Sequence, residues 1–92
     1  MDYLDDIFIR QKGKCALSGM QITGYPKRSH TASIDRIDSS KGYIEGNIQW
    51  AHKDINMLKS NWSDEDFIKI CHLIHQYQKN KIDGPFSIFK YL

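Results

Sequence analysis

Cysteine and proline are scarce in this chain, strong charge of either sign is missing, and so is any long apolar run. Its 92 residues include two cysteines and two prolines. Cys15 and Cys71 stand far apart, which excludes the dense cysteine framework of a small secreted domain and predicts free thiols in a reducing cytoplasm. No apolar stretch approaches the roughly 20 residues that span a bilayer, so no membrane segment is expected. The opening Met-Asp-Tyr-Leu-Asp-Asp is acidic, unlike the positively charged start of a secretory signal. The net charge of +2 permits nucleic-acid binding without arguing for it. There is no repeat, low-complexity tract or linker, and the length suits one domain, residues 1–92, with a modest core.

What the chain does hold is a series of short, well-punctuated elements. Tyr3, Leu4, Ile7 and Phe8 recur at helical spacing over residues 2–12, and Gly13 is a good stop. Asp5 and Asp6 fall in the early turns, where the helix dipole favours them. Residues 14–19 read as a tight knuckle, and residues 20–32, with Gly24 and Pro26, as a loop. Two short strands are expected at 33–37 and 47–50, separated by the turn chemistry of Ser39-Ser40-Lys41-Gly42 and Glu45-Gly46. A helix from about Ala51 to Leu58 follows. Ser63 then caps a longer helix with Asp64, Glu65 and Asp66 in its first turn. Phe67, Ile70, Cys71, Ile74 and Tyr77 form its apolar stripe, which makes Cys71 a buried thiol. Gly84-Pro85 ends that helix, and the apolar tail from Phe86 to Leu92 is expected to fold back on the body. Trp50 and Trp62 read as core residues, and Lys41, Lys53 and Lys59 as surface charge near the hairpin, placed to track a phosphate backbone.

Residues 34–59 carry the chemistry: Asp35 at the end of an apolar strand pattern, a glycine turn, Asn47, then Asn56 and Lys59 on a short helix. The order Asp, turn, Asn, Asn, Lys resembles the HNH endonucleases, whose active site is a strand–turn–strand–helix hairpin holding one divalent metal. The resemblance covers roughly residues 8–60. It implies an α+β fold with a small ββα-metal core flanked by terminal helices, and a metal-dependent endonuclease that hydrolyses DNA phosphodiester bonds. Such chemistry needs a Lewis acid, a base that activates water, and groups that position the strand. The resemblance gives Asp35 and Asn56 as metal ligands, with Asp38 or His52 as a further ligand. Hard oxygen donors suit magnesium or manganese. Asn47 matches the family asparagine that ties the turn to the strand.

Two departures stand out. Many members hold a structural zinc with four cysteines, whose positions here read Cys15, Ser18, His52 and Ile55. Two plausible ligands do not close a tetrahedral site, so no structural zinc is expected, and packing by Ile55 and Leu17 would replace it. Where most members have the catalytic histidine, this chain has Arg36. A guanidinium does not act as a base near neutral pH, but it can clamp a phosphate; its alternative role is an ion pair with a nearby aspartate. The base would then be Asp38, His30 or His52. The competing readings are a catalytically inactive HNH-like module that binds nucleic acid or protein, and a compact structural module. No base-reading motif is present, so target specificity would come from a larger parent protein, a partner or a dimer, or cleavage is nearly sequence-blind.

Overall fold

A computed structural model describes residues 3–24 and 30–79. Its elements run α1 (Tyr3–Arg10), β1 (Ala32–Arg36), β2 (Ile48–His52), α2 (Lys53–Lys59) and α3 (Asp64–Gln78). This is a small α+β arrangement in which two antiparallel strands form the sheet and α2 continues directly from β2. Ala32 pairs with His52, Ile34 with Trp50, Asp35 with Gln49 and Arg36 with Ile48. The expected end of the last helix at Gly84-Pro85 and the apolar tail after it lie outside the described residues. Among the described residues no helix is long and apolar enough to cross a membrane.

The elements form for local reasons. The α1 helix stops as Gly13 takes φ +67°, a region a side chain disfavours. The knuckle closes with Cys15 N–H donating to the Met20 carbonyl and Gly19 N–H to the Cys15 carbonyl. The hairpin reaches two residues further into the expected helix. Ala51 and His52 pair with Ser33 and Ala32, and the His52 Nδ1 caps α2 by accepting from Asp54 N–H. The α2 helix breaks at Ser60, which takes φ +51°. Ser63 then caps α3 through Asp66 N–H.

The core is small: Cys15, Ile22, Ala32 and Ala51, with Phe8, Leu17, Trp50 and Ile55 packed against it. Trp50 is held from three sides. Phe8 meets its ring edge-on at 5.9 Å, its indole N–H donates to the Leu4 carbonyl, and the Gln11 side chain bonds its backbone N–H and carbonyl. Gln11 thereby satisfies part of an exposed strand edge. Three sequence expectations change. No residue of α3 is buried, so Cys71 is exposed rather than buried. Trp62 is 48% exposed, outside the core. Lys59, expected at the surface, is completely buried.

Candidate functional site

Successive strand residues point to opposite faces, and this separates Asp35 from Arg36. Asp35 lies across from Gln49 on the face that α2 covers. Its side chain is almost fully buried, and its Oδ2 accepts from Lys59 Nζ at 2.7 Å and from Gln49 Nε2 at 2.9 Å. The same ammonium reaches Asp64 Oδ1 at 2.5 Å and the Arg36 carbonyl. Gln49 Nε2 also donates to both Asp64 oxygens. Two carboxylates, one ammonium and one amide thus join β1, β2, the end of α2 and the start of α3. Asp64 is anchored there by its own N–H, which donates to the Ile37 carbonyl. Sequence pattern alone marks Asp64 only as a helix-start acid. The distance between it and Asp35 along the chain hid the cluster.

Asn56 stands one turn before Lys59 on α2. Its Nδ2 donates to Ser33 Oγ at 2.7 Å and to the Ile34 carbonyl at 3.2 Å. The carbonyl contact fixes the amide's orientation, because only the nitrogen can donate, and leaves Oδ1 as the acceptor end. Asn47 makes three bonds across the turn. Its Oδ1 accepts from Asp38 N–H, and its Nδ2 donates to the Asp38 and Gly42 carbonyls. This is the hydrogen bonding that clips residues 38–42 onto the start of β2.

Arg36 points the other way. Its Nη1 donates to the Ser39 carbonyl at 3.0 Å and to the Lys41 carbonyl at 3.3 Å, and its guanidinium sits 5.3 Å from the centre of the Tyr43 ring. Here it organises the β1–β2 connection. On that side an open groove of about 1240 Å³ runs between α1 and the hairpin, lined by Tyr3, Phe8, His30, Ile34, Tyr43 and Trp50. His30 therefore lies beside the groove, while Asp35 faces α2. Asp38 is half-buried and accepts from the Ser40 hydroxyl and N–H. The Ser40 hydroxyl, then its amide, with Lys41 adding a smaller attraction, hold its carboxyl below the usual value. That makes it a weaker base than an ordinary aspartate. His52 spends its Nδ1 on capping α2.

The four positions compared with zinc ligands, Cys15, Ser18, His52 and Ile55, lie close together. Burial pushes the Cys15 thiol up, but the Ser18 hydroxyl and the backbone amides of His52, Ser18 and Leu17 outweigh it, leaving the thiol more acidic than usual. Ile55 and Leu17 pack against the cluster that contains Cys15.

Among the described residues, no three His, Cys, Asp or Glu side chains gather as a metal set. Asp35 and Asn56 nevertheless fit a hard divalent ion in donor chemistry, as oxygen donors on β1 and on the helix packed against it. Lys59 already occupies one oxygen of that pair. No protein-family model matches the chain, and neither does any curated protein or solved structure compared with it.

Proposed function

We propose that this chain is an HNH-like, metal-dependent endonuclease domain that hydrolyses DNA phosphodiester bonds. The observation that carries the reading is the hairpin followed at once by a helix, with Asn56 on that helix hydrogen-bonded to the strand residues beside Asp35. Asp35 and Asn56 would hold magnesium or manganese; a bound ion would supply charge stabilisation at the scissile phosphate and the departing oxygen. Asn47 keeps the turn closed beneath the site. Asp38, His30 and His52 remain the candidates for the base, and the hydrogen bonds from Ser40 that hold the Asp38 carboxyl below its usual value make it a weaker one. Arg36 spends its Nη1 on the Ser39 and Lys41 carbonyls, so a phosphate would be met by the Nη2 and Nε donors, on the face of the strand away from Asp35. Two free thiols are in keeping with work in the cytoplasm.

A second reading has an observation of its own. The buried pair between Asp35 and Lys59 favours an HNH-like module that binds nucleic acid or protein without cutting. Plasmid nicking with magnesium, with manganese and with a chelator separates the two. The enzyme reading requires nicking that the chelator abolishes and that Asp35→Ala removes. Purified protein that binds DNA but never nicks it supports the second reading.

A further inference from the structure

We propose that Lys59 is a tethered cation that competes with a divalent ion for Asp35, and that Asp64 sets the outcome by holding the same ammonium. This rests on reading Asp35 and Asn56 as oxygen donors to a metal, and concerns how that site opens.

The Nζ of Lys59 is buried among Asp35 Oδ2, Asp64 Oδ1 and the Arg36 carbonyl. An all-oxygen shell is what a hard cation takes. With the ammonium 2.7 Å from Asp35, an entering ion must either displace it or sit beside a like charge. At a buried site that repulsion is screened far less than in water. Displacement does not strand Lys59, because Asp64 holds it from the other side at 2.5 Å. The break at Ser60 brings Asp64 back to the end of α2, and Gln49 bridges the two carboxylates. Asp35 and Asp64 divide one ammonium between them. Asp64 is therefore a positioning residue that acts on the metal only through Lys59.

The test is manganese binding to the full chain, followed by calorimetry and by thermal shift, for wild type, Lys59→Met, Lys59→Gln and Asp64→Asn. Circular dichroism establishes that each variant is folded. Removing the ammonium should tighten manganese binding by on the order of tenfold or more. Asp64→Asn removes one of the two carboxylate charges on the ammonium and leaves the other on Asp35, and should weaken binding several-fold. A role confined to stability would lower the melting temperature of all the variants without moving affinity in opposite directions. If Lys59→Met does not fold, Lys59→Gln, which keeps an amide donor for Asp35, carries the same expectation. Manganese bound by folded Lys59 variants and not by wild type also supports the competition. Equal or weaker affinity in a folded Lys59 variant overturns it, as does unchanged or tighter binding by Asp64→Asn. If wild type and variants bind alike, the metal reading stands and Lys59 loses its role; if wild type and every folded variant fail to bind, both fall.

Discussion

Replacing Lys59 with methionine keeps the shape of the side chain and deletes its charge. Lys59 is 0% exposed and Asp35 3%, so neither side chain recovers water while the fold holds. The variant loses the two carboxylate contacts and the one to the Arg36 carbonyl. Asp35 keeps only its Gln49 bond among those described, whereas Asp64 reaches solvent with a fifth of its side chain. Breaking a buried pair in this way costs about 3–5 kcal/mol, and rehydration of Asp64 places the loss toward the lower end. A chain of this length has a total stability of roughly 5–14 kcal/mol. The substitution therefore removes a large share of it. Urea unfolding followed by circular dichroism measures the loss. Adding Asp35→Leu deletes the stranded carboxylate, and the double variant should return to within about 2 kcal/mol of wild type. A single variant that loses less than about 1 kcal/mol would refute the account of Lys59, as would a double variant in which the two losses simply add.

Asn47→Ala deletes three hydrogen bonds at a buried position and should cost about 2–4 kcal/mol in urea unfolding, with the 38–42 turn losing amide protection. Ser40→Ala should raise the Asp38 pKa toward its ordinary 3.8, read by carbon NMR. The depressed pKa stabilises the fold at pH above the unfolded value, and that contribution is lost as pH falls through the folded one, so wild type and variant should converge in strong acid. Ser18→Ala should raise the Cys15 pKa by removing the hydroxyl that opposes burial, seen as a later rise in thiolate absorbance. In the native chain, alkylation should label exposed Cys71 well before buried Cys15. Ser18→Cys with Ile55→Cys should create one tight zinc site with Cys15 and His52, measured by elemental analysis.

Much of the framework was legible because its signals are local. Gly13 marked the end of α1, the turn residues between 39 and 46 marked the hairpin, and Ser63 marked the start of α3. The boundary of α2 moved because Ala51 and His52 found strand partners, and pairing across a sheet outweighs propensity at a helix end. The burial of Lys59 was not legible. A lysine following a short helical pattern reads as surface, and only Asp35, 24 residues before it, and Asp64, five after it, make the interior habitable. The apolar stripe of α3 said that a helix forms and did not say what covers it. Cys71 lies on that stripe and is exposed, because the pattern carries no information about a covering partner.

The arginine that follows Asp35 acquires a physical sense from the alternation of the strand. A side chain at position 36 leaves on the face opposite Asp35, toward Tyr43 and the turn. The long guanidinium can donate to two carbonyls of that turn and rest on the ring at once, which a histidine is too short and has too few donors to do. The two neighbours are still coupled through the backbone, because the Arg36 carbonyl is the third oxygen around Lys59. The turn that Arg36 and Asn47 clamp therefore also fixes one wall of the Lys59 pocket. Loosening that turn should be felt at Asp35, on the far face of the same strand.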